Sequence, residues 1–529
     1  MSHFKGPDIN KALPHFRPNT SVLQMLEDSL RKNGNTLALI DRETEKGITR
    51  ADILQQSTSV ASGLTNVGVT AGDYVILCCD KNILSYTLLL GTMFTGATAV
   101  LAPIPHADTL DELTCGFKIK GVFCDSKYLS SVKKSVNNFK YQPYFLLTTN
   151  TQDSTFMSII NCKKEFRIYE VKDVKTHVPL ILFSSGTTGV PKGIQISDIG
   201  LQLSGSYFSD NKRPKSLLVA TPLFWFSAIA TFISSIFTHC LLYLSDSKDV
   251  KENLEFIEKM KVETWFTGTG TMPSYINEPS VNLYDLTSLK KVFAGGEVVL
   301  DSVSKKFETK VLGGRIKLGT AYGSTECGLI TADIQGVPES DDRSGSCGKV
   351  VPGVEIKILD DEGHLVSPGT IGEIWIKTLA VTPGYWGRPD LNSSMFDNDG
   401  FFRNGDAGYF DPEGNLYLRG RVCDLINFRG HKFSPTELED IIISHPSVMD
   451  VAVVGKPHSC DIHHATAFVV RKPGYNVSEN EIMDFVNGKV NEPQKLRGGV
   501  RFLDTLPRTI IGKVVRQKLR EYASNDLLH

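Results

Sequence analysis

The chain has 529 residues, 41% hydrophobic and 22% charged, and its 57 Lys and Arg stand against 59 Asp and Glu for a formal net charge of -2. That length exceeds what one compact core serves, so two or more domains are expected, and the composition excludes a disordered or fibrous chain. The near-neutral balance supplies no overall attraction to nucleic acid or to an anionic membrane.

In chain order, residues 1–17 are polar and lack the apolar stretch of a secretory signal. Between 20 and 100, amphipathic helical stretches (22–32, 50–67) alternate with apolar strand-like runs (37–40, 74–79), the pattern of α/β layering around a largely parallel sheet. A strand at 178–183 runs into a Gly/Ser/Thr loop, and short buried strands are expected at 216–221, 264–267 and 291–294, each ending in a Gly, Pro or Thr turn. Ligands of open α/β sheets bind beyond the carboxyl ends of the strands, so those turns are where chemistry is sought. From about 348 the texture becomes short strands and turns (354–359, 372–376, 409–414, 416–418), a β-rich subdomain. A new unit follows 420–421, with a helix from near 435 and strands at 448–454 and 466–470. The expected fold is therefore α/β. A large N-terminal domain, 1–420, has layered α/β subdomains and the β-rich subdomain, and a small α+β C-terminal domain spans 421–529.

The longest apolar stretches, 87–103 and 217–244, are interrupted by Gly, Thr, Ser or His and read as buried helix and strand, so no transmembrane segment is expected. Ten cysteines are scattered without a CxxC pair, which predicts reduced, mostly structural thiols. The last residues, Asp526-Leu527-Leu528-His529, are not the peroxisomal Ser-Lys-Leu address, which leaves a cytoplasmic location as the expectation ahead of a peroxisomal one.

The densest chemical signal is Ser184-Ser185-Gly186-Thr187-Thr188-Gly189-Val190-Pro191-Lys192-Gly193, directly after a predicted strand. Glycines let the backbone approach an anion, hydroxyls and N–H groups bind phosphate oxygens, and Lys192 adds charge, so the segment reads as a phosphate cradle. It lacks the Walker A spacing, because Lys192 sits between Pro191 and Gly193.

This segment resembles the signature loop of the adenylate-forming superfamily, which includes acyl-CoA synthetases, peptide-synthetase adenylation domains and insect luciferases. Further segments resemble that family's landmarks in order: Ala294-Gly295-Gly296-Glu297, Tyr322-Gly323-Ser324-Thr325-Glu326, Asn404-Gly405-Asp406, Gly420-Arg421, and the Leu506 to Arg516 run holding Lys513. The resemblance implies that Gly295 and Gly296 make room for adenine and Tyr322 stacks on it. It further implies that Thr325 bonds the α-phosphate, Glu326 holds Mg²⁺, Asp406 accepts the ribose hydroxyls, and Arg421 lies near ribose or phosphate. Glu297 stands where many relatives have a small residue, and Asn404 where the family pattern has Thr. Lys513 is the implied adenylation lysine, carried by a C-terminal domain that swings between two half-reactions. The same resemblance puts the hinge at Cys423 beside Asp424, and Gly430 on the CoA side.

The acyl pocket is expected to include Phe224, Trp225 and Ser227, with Gly268 in the nearby Gly268-Thr269-Gly270 loop. Phe224 and Trp225 replace a His common in relatives. An aromatic wall favours an apolar or planar acid, and a core role is the alternative. The implied activity is ATP- and Mg²⁺-dependent conversion of a small-molecule carboxylic acid to acyl-AMP, then thioester formation with CoA: an acyl-CoA synthetase for a medium-chain, fatty or aromatic acid. The alternative is a luciferase-type monooxygenase, with O₂ in place of CoA. Oligomeric state is open.

Overall fold

The computed structural model describes residues 2–13, 15–114, 116–149, 152–184, 191–207, 214–333, 343, 345–392, 395–509 and 513–524. Several helices begin where short polar side chains satisfy the N–H groups left free in a first turn. Thr49 with Asp52 forms a reciprocal capping box for Arg50–Asn66, as do Asn82 with Ser85 for Ile83–Phe94 and Ser478 with Glu481 for Glu479–Asn487. Helix Phe226–Thr238 is apolar on nearly every side and buried from Ala228 onward. Three of its hydroxyls turn inward to carbonyls of the same helix, Thr231 to Ser227, Ser235 to Phe232 and Thr238 to Ser234. Buried Arg50 reaches its far end and donates to the carbonyls of Ile236 and Ser235 at 3.0 and 3.2 Å, neutralising a helix C-terminus with a cation.

Among the described residues the strands form four sheets. Two are built around parallel strands. One has six strands, with Leu180–Phe183 near its edge pairing antiparallel to Gly193–Ile196. The other has nine, and its parallel centre includes neighbours Leu318–Ser324, Lys291–Gly295, Thr264–Gly268 and Ser216–Val219. Helices Val22–Arg31, Arg50–Asn66, Ile83–Phe94 and Phe226–Thr238 share one apolar cluster with strands of both sheets, so they form the layer between them. Val250–Met260 and Asp301–Lys310 cover the outer face of the nine-stranded sheet. The result is an α/β layer structure of the expected class.

The third sheet is antiparallel and corresponds to the β-rich texture, in the order His3–Lys5, Val354–Leu359, Gly372–Thr378, Phe402–Phe410, Leu416–Arg421. The fourth, with Ile462–Arg471 at its centre and Val448–His458 beside it at the edge, has apolar clusters of its own with helices Pro435–Ile443, Glu479–Asn487 and Arg516–Ser524. In Leu318–Ser324, Gly319, Thr320 and Ala321 pair with the neighbouring strand despite modest strand propensity. One expected element shifts. The strand placed at 409–414 is the end of Phe402–Phe410, followed by a turn closed by Gly414 N–H on the Asp411 carbonyl. Among the described residues no helix is long and apolar enough to cross a membrane.

Candidate active site

Four neighbouring strands of the nine-stranded sheet deliver their carboxyl ends side by side. Gly268 registers with Gly295, and Gly295 with Ala321, the residue before Tyr322. Strand Ser216–Val219, beside Thr264–Gly268, leads into the segment 221–225. Gly296 has φ of +111°, which an L side chain rarely adopts, and a Cβ there would come 3.8 Å from Trp225. The Gly295-Gly296 turn and Trp225 therefore face each other. Gly268 is at φ −78°, and a Cβ on it would meet nothing within 4 Å, so it borders open space. Phe224 packs against the central core instead. The Ser227 hydroxyl donates to Thr221 Oγ1 at 3.1 Å, which closes the turn before the helix and leaves it a local role.

A second group joins two sheets. Tyr322 is buried, and its hydroxyl donates to Asp406 Oδ2 at 2.7 Å and accepts from Asn404 Nδ2 at 2.7 Å. Asn404 also donates to Asp406, so this departure from the family pattern adds a donor aimed at the carboxylate. Asp406 and Arg421 are register partners across antiparallel strands, with Arg421 Nε 3.0 Å from Asp406 Oδ1. Burial raises the Asp406 carboxyl, opposed by Arg421, while Asp406 raises the guanidinium. Gly323 is forced by close approach: a Cβ there would lie 2.5 Å from the Gly328 carbonyl oxygen. Thr325 and Glu326 occupy the turn of that hairpin, both half-buried.

Glu326 meets a residue that sequence reasoning missed. Tyr385 donates its hydroxyl to Glu326 Oε1 at 3.1 Å, and Lys192 Nζ lies 5.2 Å from the Tyr385 ring centroid. Burial raises the Glu326 carboxyl. The Pro383-Gly384-Tyr385 turn after strand Gly372–Thr378 was the available signal. Lys192 N–H donates to Ser184 Oγ at 3.0 Å and Ser184 N–H to the Lys192 carbonyl at 2.9 Å, closing the base of a β-hairpin loop. Ser185, Gly186, Thr187, Thr188 and Gly189, within that loop, lie outside the described residues.

Lys513 comes from the other side. Thr509 N–H donates to the Lys513 carbonyl at 2.7 Å and Lys513 N–H to Thr509 Oγ1 at 3.1 Å, two bonds that fix the backbone at the lysine. Burial lowers its ammonium; Glu297, Asp406 and Glu326 oppose that shift and Arg421 adds to it. Burial raises Glu297, and Lys513, Arg508 and Arg516 pull it back. Glu297 has the accessible surface of an exposed residue, yet protein on both sides of the cleft displaces enough water to raise it. Cys423 is exposed in the turn Val422–Asp424, whereas Asp424 accepts from Arg520 at 2.7 Å and is tied to helix Arg516–Ser524. Gly430, at φ +89°, forms the tip between strands Ile426–Phe428 and His431–Phe433, with its N–H on Asn427 Oδ1 at 2.9 Å.

Strand ends carrying glycine turns, a carboxylate held by Tyr, Asn and Arg, and a lysine from the segment after the fourth sheet thus line one cleft. The fold is shared with the ATP-bound MatB of Rhodopseudomonas palustris, with a TM-score of 0.87 at 24% identity covering 96% of this chain and 99% of that one. Residues 26–386 match the AMP-binding enzyme family and residues 437–513 the AMP-binding enzyme C-terminal domain. The chain belongs to this adenylate-forming family. It is 28% identical over 518 residues to 4-coumarate–CoA ligase 1 of Petroselinum crispum, covering 94% of each. It is 25% identical over 506 residues to the luciferin 4-monooxygenase of Photuris pensylvanica, covering 92% of this chain and 91% of that one.

Proposed function

We propose that the chain activates a carboxylic acid as its acyl-adenylate and transfers the acyl group to CoA. The observation that carries this reading is the Asp406 carboxylate held by Tyr322, Asn404 and Arg421, with Lys513, from the segment after the C-terminal sheet, facing it. In the first half-reaction a carboxylate oxygen of the acid attacks the α-phosphorus of ATP and pyrophosphate leaves. Lys513 stabilises the charge that develops on the phosphoryl oxygens and on the attacking carboxylate. Asp406 accepts the ribose hydroxyls, with Tyr322, Asn404 and Arg421 fixing its orientation. Tyr322 and the Gly295-Gly296 turn flank the base.

Glu326 fits an Mg²⁺ site: it is a hard oxygen ligand whose Oε1 is held by Tyr385, and burial raises its carboxyl against the pull of Tyr385 and Arg421, a shift that a hard cation would oppose further. Bound there, Mg²⁺ would neutralise triphosphate charge. Lys192 and the loop after Ser184 hold phosphate oxygens. In the second half-reaction the CoA sulfur attacks the acyl carbonyl, the C–O bond to phosphate breaks and AMP leaves. Arg421 is paired with Asp406 and Asp424 with Arg520, so a pivot falls between them at Val422 and Cys423. Rotation there withdraws Lys513 and turns the Gly430 tip toward the cleft. Trp225 against Gly296, beside the open space at Gly268, favours a planar or apolar acid.

The test is ATP-dependent pyrophosphate release with a panel of aryl, medium-chain and fatty acids, followed by addition of CoA. Release with an aryl or apolar acid and formation of its thioester are expected. No release across the panel sinks the adenylation reading. Release without thioester but with light on exposure to O₂ selects the luciferase-type reaction, for which the match to luciferin 4-monooxygenases speaks.

A further inference from the structure

The turn joining strands Val448–His458 and Ile462–Arg471 reads His458-Ser459-Cys460-Asp461-Ile462-His463-His464. Three of these side chains converge: one ligand atom each of His458, Asp461 and His464 lies within 4.8 Å of the others. His464 Nε2 is 2.7 Å and His458 Nδ1 3.4 Å from the same oxygen, Asp461 Oδ2. Ligands bound tetrahedrally at about 2.1 Å from an ion stand about 3.4 Å apart, so the carboxylate already sits near ligand spacing from both imidazoles. The imidazole rings stack 19° from parallel with centroids 3.8 Å apart, and His458 Nδ1 also accepts the N–H groups of Asp461 and Cys460 at 3.2 and 3.4 Å, contacts that a bound ion would replace.

The carboxylate is oriented in advance. Asp461 Oδ1 accepts from Arg429 Nε, which leaves Oδ2 for the imidazole side. This is the role that partners behind a metal ligand play, fixing the ligand and its charge. The backbone adds a second tie, Arg429 N–H donating to the Asp461 carbonyl at 3.1 Å. Two imidazoles with one carboxylate suit a borderline ion of the Zn²⁺ kind, whereas Mg²⁺ and Ca²⁺ prefer oxygen throughout. None of these residues has a part in the adenylation cleft.

We propose that His458, Asp461 and His464 form a binding site for a divalent transition-metal ion of the Zn²⁺ class on the C-terminal sheet, beside the Arg429-Gly430 turn. Water completes the coordination shell. The chelator-treated full chain, without nucleotide or acid, is titrated with Co²⁺ and followed by visible absorption. One Co²⁺ per chain with a ligand-field band is expected, competed away by Zn²⁺. His458→Gln and His464→Gln should each weaken binding at least tenfold while pyrophosphate release in excess Mg²⁺ is unchanged. Unaltered Co²⁺ affinity in the double variant, or no stoichiometric binding by the wild type, overturns the site. A measurement on wild-type protein alone guards against a variant that misfolds. Zn²⁺ should slow hydrogen exchange at the imidazole C2 positions of His458 and His464, read by mass spectrometry of their peptide, and undiminished exchange overturns the proposal.

Discussion

Tyr385 touches two charged groups at once, with its hydroxyl on Glu326 and its ring under the Lys192 ammonium. Tyr385→Phe keeps the ring and removes the donor. Burial already raises the Glu326 carboxyl, and loss of a bond that favours its ionised form raises it further. Half-maximal pyrophosphate release should then need about tenfold more Mg²⁺. An unchanged Mg²⁺ requirement would reduce Tyr385 to packing. In the proposed adenylation Lys513 acts in its protonated form, and burial lowers its pKa. Activity that depends on it is therefore present at low pH and lost as pH rises through the lowered value, below the range of a solvated lysine. The alkaline limb of the pH profile for pyrophosphate release reports this, and Lys513→Arg should move the limb upward. Lys513→Ala should cost about 10²- to 10³-fold in pyrophosphate release and spare the capture of preformed acyl-AMP by CoA; equal loss of both would contradict its assignment to the first half-reaction.

Whole elements depend on single buried groups. The Lys81 ammonium, almost fully buried, donates to the carbonyls of Val219, Thr221 and Ser245 at 2.9, 2.7 and 2.8 Å, with Asp246 at 3.2 Å. It ties together the carboxyl ends of strands Ser216–Val219 and Leu241–Leu244, at the start of the segment that carries Trp225. Lys81→Met strands three acceptors and should lower unfolding free energy by about 3 kcal/mol, seen as an earlier urea midpoint; a shift under 1 kcal/mol would show that water replaces the ammonium. Nothing in the neighbourhood of Lys81 in sequence distinguishes it from a solvated lysine, and the same holds for Arg50. Their partners lie more than a hundred residues away. What was legible was local: alternating apolar periods gave the helices and parallel strands, and glycine turns marked the strand ends around Gly268, Gly295 and Gly296. The residues of the Tyr322, Asp406 and Arg421 group were each readable from motifs, whereas the Asp406–Arg421 pair depends on register within one sheet and the bonds of Tyr322 to Asp406 and Asn404 on how two sheets meet.

At the scale of the molecule, the two halves share a helix end. Helix Asp301–Lys310 has no cap from its own N-cap residue, Leu300, and Asp440 on helix Pro435–Ile443 accepts its Ser302 N–H at 3.0 Å. Lys306 Nζ returns a bond to the Ile443 carbonyl at 3.3 Å. A carboxylate at a helix N-terminus contributes about 1 kcal/mol, and under the proposed rotation it does so here only while Lys513 faces the cleft. Asp440→Ala should slow pyrophosphate release about fivefold and leave thioester formation from preformed acyl-AMP intact. Equal slowing of both steps would show that the contact does not select one arrangement.

The short strand His3–Lys5 has a different bearing on the molecule. It lies along Val354–Leu359, with Ser2 N–H on the Val366 carbonyl at 2.8 Å and the Ser2 carbonyl receiving Ile358 N–H at 3.0 Å. Residues 2–5 thus serve as a sheath over a row of backbone groups that would otherwise be free to recruit another chain. A protease that trims them leaves the cleft and its charges untouched and bares a sticky edge, so the first symptom of such clipping should be light scattering in a concentrated, still active sample.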